Sequence, residues 1–111
     1  MTAGNNDGLR SALAPAAALF RSLGDPARLA IVLRLADGEA RVVDLVAHLG
    51  LAQSTVSKHL AYLRDCGLVD SRPVGRASVF CLAQPTLRDL LRAAEATLHD
   101  TGRDVELCRR R

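Results

Sequence analysis

Residues 43–69 constrain the fold of this chain more than any other segment. Two short apolar stripes with helical spacing follow one another, and a glycine lies between them. The stripes consist of Val43, Leu45, Val46 and Leu49, and then of Val56, Leu60 and Leu63. Gly50 lies where the chain must turn, and glycine adopts a left-handed turn conformation without steric cost. Two tandem helices of this length, joined by a glycine turn, are the pattern of a helix-turn-helix.

The second helix of this motif has a polar outer face. When its apolar stripe faces the core, short hydrogen-bonding side chains and one cation remain on the other side. These residues are Gln53, Ser54, Thr55, Ser57 and Lys58, with His59 beside them. Such side chains suit a helix in the major groove, where base edges present donors and acceptors. We therefore expect these six residues to contact DNA, with Gln53 at a base edge and Lys58 at phosphate or guanine. An ordinary solvated helical hairpin is the alternative.

Further helices are predicted before the motif. Residues 11–23 form an apolar-faced helix, whereas residues 1–10 are polar, contain two glycines and are predicted to be disordered. A second helix begins at Asp25-Pro26, because aspartate caps a helix N-terminus and proline fits the first helical position.

The period of the sequence changes after Leu68. Residues 69–83 contain two β-like runs on either side of Pro73-Val74-Gly75-Arg76, which predicts a β-hairpin with a basic tip. A helix-turn-helix followed by such a hairpin is a winged helix. Arg76 is expected to enter the minor groove or to hold a phosphate. An exposed loop arginine without a role is the alternative.

The last helix, predicted for residues 85–100, has an apolar stripe with nothing left to cover once the winged helix is closed. The first helix has an equally apolar face, and a small aliphatic domain gains burial by dimerising. We therefore expect an isologous homodimer, with two recognition helices about 34 Å apart on a near-palindromic operator. Intramolecular packing of both helices is the alternative. The expected interface residues are Leu13, Leu19, Phe20, Leu87, Leu90, Leu91, Ala94 and Leu98.

Length and composition exclude several classes of protein. The 111 residues allow one domain, at 11–100, between the N-terminal segment and a flexible tail at 101–111. The predicted fold class is mainly α with a small β-hairpin (α+β). No apolar run could span a bilayer and no secretory signal precedes the domain, which predicts a cytoplasmic protein without a membrane partner. The net charge of +3 suits a polyanion. No catalytic motif is present, so we do not expect an enzyme.

Four motifs of the chain match one known family. They are LGDPARL at 23–29, DLVAHLG at 44–50, STVSKHL at 54–60 and LRDCGLV at 63–69. On these motifs the chain resembles the ArsR/SmtB family of metal-responsive repressors over about residues 13–100. The resemblance implies a dimeric winged-helix repressor with the order α1-α2-α3-αR-β-hairpin-α5, which releases its operator when an inducer binds.

The resemblance also implies a cysteine site for the inducer. In the cadmium- and lead-sensing branch of the family, two cysteines on the recognition helix act with one from the tail. Cys66 matches the second helix cysteine, Tyr62 stands at the first, and Cys108 lies in the tail, while Cys81 is a third thiol on the second wing strand. Three thiolates would suit a soft ion such as Cd(II), Pb(II), As(III) or Hg(II). The family's zinc pattern across the last helix keeps one ligand of four, Asp100, so zinc is less expected.

Other functions remain open at this point. Cys66 could be a buried, inert small hydrophobe. Alternatively, the thiols could form a reversible disulfide, which would make the protein a redox-sensing repressor. A third possibility is a winged-helix protein-interaction domain without an operator, because fold alone does not assign function.

Overall fold

In the computed structural model, which describes residues 3–107, five helices and three short strands alternate in the order of a winged helix. The elements are α1 (Ala3–Leu23), α2 (Pro26–Ala36), β1 (Ala40–Arg41), α3 (Val42–Leu49), α4 (Gln53–Asp65), β2 (Val69–Val74), β3 (Ala77–Leu82) and α5 (Thr86–Asp100). The predicted fold class and element order are confirmed. No helix in this part of the chain is both long enough and apolar enough to cross a membrane.

The helix boundaries follow the local signals in the sequence. Asp25 is the N-cap of α2, and its carboxylate accepts the Arg28 backbone N–H at 3.0 Å, while Pro26 occupies the first helical position. Gly50 ends α3 with a φ of 68°, and its N–H donates to the Val46 carbonyl at 2.9 Å. Because this φ lies in the left-handed region, the glycine itself permits the turn between α3 and α4.

The strands form one small antiparallel sheet with the order β1-β3-β2. The predicted hairpin is confirmed, with Val74 opposite Ala77 and a two-residue turn at Gly75 and Arg76. The third strand, β1, pairs Ala40 with Phe80 and was not predicted, since two residues carry no periodic signal.

The core lies where α2, α3, α4 and α5 meet the sheet. Val56, Leu60 and Leu63 of α4 are buried, which confirms the predicted stripe of the recognition helix. The remaining buried apolar residues are Ile31, Val32, Leu35, Ala40, Leu45, Leu68, Val69, Phe80, Leu87 and Leu91.

One prediction about α1 is wrong. The helix begins at Ala3 and not at Ser11, so residues 3–10 are helical rather than disordered. Extending an existing helix costs less than nucleating a new one, so a polar sequence can continue a helix that forms beyond it. On the apolar face of this helix, Leu13 and Phe20 are exposed within one chain.

The faces of α3 and α5 require corrections as well. Val43 is 56 % exposed, while its neighbour Val42 packs against the core, so the stripe of α3 begins one residue earlier than predicted. Leu87 and Leu91 of α5 are buried in the core of their own chain. The apolar stripe of α5 therefore covers its own domain in part, and these two residues are not available to a second chain.

Candidate nucleic-acid interface

The first two turns of α4 present the polar side chains that the sequence assigned to DNA. Gln53, Ser54, Ser57 and Lys58 are exposed, whereas Thr55 is half-buried. The opposite side of the helix is anchored by its buried apolar stripe. The N-cap residue, Ala52, makes no side-chain hydrogen bond to the first turn. The first-turn N–H groups of α4 therefore have no side-chain cap from Ala52, and the positive end of the helix dipole favours a phosphate at this end of the helix.

Two arginines of the wing differ in their contacts: Arg76 is exposed, whereas Arg72 pairs with a carboxylate. Arg76 is exposed at the hairpin tip, in accordance with the prediction. Arg72, at the middle of β2, instead donates from Nη2 to both carboxylate oxygens of Glu39, at 2.5 and 2.6 Å. Arg64 at the end of α4 donates to the Ser71 hydroxyl at 3.3 Å. These contacts connect β2 to Glu39, which directly precedes β1, and to α4, while Arg76 at the tip remains exposed.

Two carboxylates at helix starts are stabilised in their charged form. The Arg28 backbone N–H holds the pKa of Asp25 below its usual value, and the positive charge of Arg28 acts in the same direction. At the start of α3, the backbone N–H of Arg41 lowers the pKa of Asp44, and the Arg41 side chain adds a second hydrogen bond. Both groups are therefore anionic helix caps at neutral pH.

Two of the three predicted metal ligands, Cys66 and Cys81, lie in the described part of the chain. Cys66 is the C-cap residue of α4, and the residue is exposed, which argues against its interpretation as a buried hydrophobe, while its sulfur lies 3.3 Å from the Ser22 hydroxyl. Cys81 is half-buried on β3, opposite Asp70. Cys108 lies outside the described residues. Within residues 3–107, no three His, Cys, Asp or Glu side chains are arranged to hold a metal ion.

The predicted dimerisation residues differ in accessibility. Leu13 and Phe20 of α1 are 52 % and 61 % exposed, and Leu19 is half-buried. On α5, a second set is half-buried, namely Leu90, Ala94 and Leu98. Leu9 is also 51 % exposed on α1 and escaped prediction, because its segment was expected to be disordered.

A third face of α4, which contacts polar groups at the corner between α1 and α2, was not predicted from the sequence. His59, Tyr62 and Cys66 recur at helical spacing and contact polar groups where α1 meets α2. Their partners are Asp25, Arg28 and Ser22. The Arg28 guanidinium lies 4.3 Å from the Tyr62 ring centroid. No sequence pattern indicates these pairs, since their members lie far apart along the chain.

An exposed polar recognition helix, anchored by an apolar face and followed by a basic wing, defines a DNA-binding protein of the winged-helix class. The family described as "Bacterial regulatory protein, arsR family" matches residues 25–71. A relative from Streptomyces lividans, named "Probable mercury resistance operon repressor", is 34 % identical over 94 residues, or 85 % of this chain and 75 % of the relative. The chain belongs to the ArsR family of bacterial regulatory proteins.

Other comparisons agree with this assignment. The transcriptional regulator CmtR of Mycobacterium tuberculosis is 46 % identical over 71 residues, which are 64 % of this chain and 60 % of that protein. Its solved structure, described as a cadmium metal-sensor, has a TM-score of 0.58 at 40 % identity over 81 % of this chain and 90 % of the other. The structure of M. tuberculosis Rv0081 gives a TM-score of 0.74 at 32 % identity, covering 78 % and 87 %. The family and these named relatives are regulators of transcription and not enzymes.

Proposed function

We propose that this protein is a homodimeric transcriptional repressor that leaves its operator when a soft metal or metalloid ion binds its cysteines. The observation that carries the proposal is the arrangement of α4. Its first two turns present Gln53, Ser54, Ser57 and Lys58 to solvent, and the exposed residue Cys66 is the C-cap of the same helix. One rigid element thus connects the groups that suit DNA with a group that suits a soft ion.

The exposed apolar face of α1 supports the dimer. Leu9, Leu13 and Phe20 are each more than half exposed, and large apolar side chains at this spacing on one helix favour a covered face. Leu90, Ala94 and Leu98 of α5 are half-covered and complete the set that a second copy would bury. A two-fold dimer places two α4 helices on successive major grooves, which is why the operator should be a near-palindrome.

The donor chemistry supports a soft ion, with a site that one chain does not complete from its described residues. Cys66 is an exposed residue and offers a sulfur, whereas Tyr62, at the position of the first helix cysteine in the family's cadmium-sensing branch, offers none. Cys108 directly follows Leu107, whose N–H donates to the Glu95 carboxylate on α5 at 2.5 Å. We infer that Cys66 and Cys108 supply thiolates, with Cys81 as a further candidate. Thiolates favour Cd(II), Pb(II), As(III) or Hg(II), and zinc is less expected.

The DNA-binding half is tested first. Duplexes selected from a random library by the reduced protein should converge on a near-palindrome whose half-sites are about one helical turn apart. Affinity for the selected duplex should fall steeply with salt and exceed that for random duplex by at least about a thousandfold. Equal affinity for both would refute operator recognition and favour a protein-interaction domain.

The sensing half is tested on the selected duplex. Cd(II), Pb(II), Hg(II) and arsenite are titrated separately into the complex, while fluorescence anisotropy reports DNA release and ultraviolet absorption reports thiolate–metal bonds. Cys66→Ser and Cys108→Ser should each abolish release, and Cys81→Ser, measured beside them, shows whether the further candidate takes part. If both serine variants release DNA as readily as the wild type, the metal site is not built from these cysteines.

The same thiols make redox sensing the second candidate, since Cys66 and Cys81 are both free. A parallel titration with diamide, followed by dithiothreitol, distinguishes the two inputs. Release by diamide that dithiothreitol reverses, without release by any of the four ions, would favour the redox function. Either input would act in the cytoplasm, where the operator lies and where thiols are kept reduced.

A further inference from the structure

One face of the recognition helix α4 neither packs against the apolar core nor lies on the surface that would contact DNA. There, α4 meets the corner between α1 and α2 through polar groups rather than aliphatic ones. We call these contacts the polar seam, which consists of His59, Tyr62 and Cys66 on α4, together with Asp25, Arg28 and Ser22 at the corner. The three α4 residues lie on one face, because residues three and four apart are neighbours on a helix.

Arg28 is the most constrained member of the polar seam. Its Nε donates to the Ser22 carbonyl at 2.9 Å and its Nη2 to the Arg21 carbonyl at 3.0 Å. Both carbonyls belong to the last turn of α1, where helix geometry leaves carbonyl groups without intrahelical partners. The Arg28 backbone N–H is held in turn by Asp25. Hydrogen bonds therefore hold both the backbone and the guanidinium plane of Arg28 in position, and the Tyr62 ring packs against this fixed plane.

The Tyr62 ring packs on this fixed plane. The guanidinium carbon lies 4.3 Å from the ring centroid, within the range of a cation–π contact. Tyr62 lies one helical turn beyond the polar residues of α4 that suit DNA. The ring and the guanidinium thus set the rotation of α4 about its own axis relative to α1 and α2.

The two ends of the polar seam restrict the helix in the same way. His59, itself among the residues expected to contact DNA, lies one turn nearer the start of α4, and its Nε2 is 3.9 Å from the Asp25 carboxylate. At the other end, the Ser22 hydroxyl lies 3.3 Å from the Cys66 sulfur, and Ser22 is fully buried. Apolar packing is not directional, whereas these contacts depend on angle and distance. The aliphatic core determines which face of α4 is buried, and the polar seam restricts the rotation of the helix further.

We propose that Arg28 is a positioning residue for operator recognition and acts through Tyr62 to orient α4. It would do so without contacting DNA, since its Nε and Nη2 are both engaged by carbonyls of α1. The proposal rests on operator binding by α4 as described above. It adds a determinant of sequence specificity that lies behind the recognition helix.

The test compares specific with non-specific binding. Non-specific affinity depends mainly on charge, so a rotation of α4 should leave it unchanged. Contacts to base edges depend on the orientation of α4, so the same rotation should weaken specific binding. Arg28→Lys keeps the charge but loses the planar fork that binds two carbonyls and stacks on the ring. Tyr62→Leu removes the ring from the other side, and Tyr62→Phe retains it. Arg34→Lys is the matched control, because Arg34 caps the other end of α2, donating to the Gly38 carbonyl at 3.1 Å.

Each variant is measured on the selected operator and on random duplex across a salt series, at a temperature where circular dichroism shows it folded. We expect Arg28→Lys and Tyr62→Leu each to lower operator affinity at least about threefold, the low end of a cation–π contact. Affinity for random duplex and the salt slope should stay unchanged. Tyr62→Phe and Arg34→Lys should bind the operator like the wild type.

Two results would overturn the positioning role. If Arg28→Lys lowers operator and random-duplex affinity alike and reduces the salt slope, Arg28 contacts phosphate directly. If Arg28→Lys and Tyr62→Leu lower thermal stability but leave operator affinity intact while folded, the polar seam is only structural. Should Arg28→Lys fail to fold, the pair Tyr62→Leu and Tyr62→Phe decides the question. A wild-type protein without operator preference would instead refute the proposed function itself.

Discussion

Truncating Phe20 to alanine should dissociate the dimer. Phe20 is 61 % exposed within one chain. Because an aromatic side chain buries about 150–250 Å², about 90–150 Å² remain uncovered. At about 25 cal/mol per Å², covering this area in the dimer would contribute about 2–4 kcal/mol to the free energy of dimerisation for each copy of Phe20. A two-fold interface uses the residue twice. Because alanine keeps its β-carbon, we take the lower value, about 2 kcal/mol for each of the two copies. The dissociation constant of the dimer should therefore rise about a thousandfold.

Sedimentation equilibrium over a wide range of protein concentration measures this constant directly. Val43→Ala is the matched control, because Val43 is 56 % exposed but lies on α3, outside the predicted interface. It should dimerise like the wild type. An unchanged dissociation constant for Phe20→Ala would show that the exposed face of α1 is not the interface, and a monomeric wild type would remove the premise.

Three further perturbations address DNA contact, helix termination and acid stability. Lys58→Ala should weaken operator binding and make the salt slope less negative by about 0.9 for each protomer that loses a phosphate contact; Arg92→Ala on α5 should leave the slope as it is. Gly50→Ala should lower the free energy of unfolding in urea by about 1–2 kcal/mol, because its φ of 68° is strained for alanine. Gly8→Ala, inside α1 with open space around the added carbon, should raise it by about 0.5–1 kcal/mol. The pKa of Asp25 is lowered in the folded state, chiefly by a backbone hydrogen bond. Its stabilising contribution is therefore present above the unfolded pKa and is lost as the pH falls through the folded value. Asp25→Asn keeps an N-cap but does not titrate, so it should lose less stability than the wild type on acidification below about pH 4.

Local chemistry explains which elements could be predicted from the sequence. Asp25, Pro26 and Gly50 each specify a backbone position through their own side chain or lack of one, so the ends of α2 and α3 follow without knowledge of the fold. The spacing of Val56 and Leu60 likewise assigns one face of α4 to the core. Signals of this kind need only a few neighbouring residues.

Features that depend on the tertiary structure could not be predicted in this way. The stripe containing Leu87 and Leu91 indicates that α5 is covered, but not whether its own chain or a second copy covers it. The contact between Ser22 and Cys66 joins residues 44 positions apart, and only the packing of α1 against α4 brings them together. The same limit applies to Arg28, whose motif marks the family without indicating what its guanidinium contacts.

The length of α4 has a geometric consequence for control by an inducer. Its 13 residues, at about 1.5 Å each, separate the first DNA-facing turn from Cys66 by about 19 Å. A pivot of only about 5° at the thiol end sweeps the opposite end through about 1.7 Å, which exceeds the tolerance of a hydrogen bond to a base edge. An ion that binds at Cys66 can thus abolish the contacts of α4 with base edges by tilting the helix, although the ion itself lies far from the duplex.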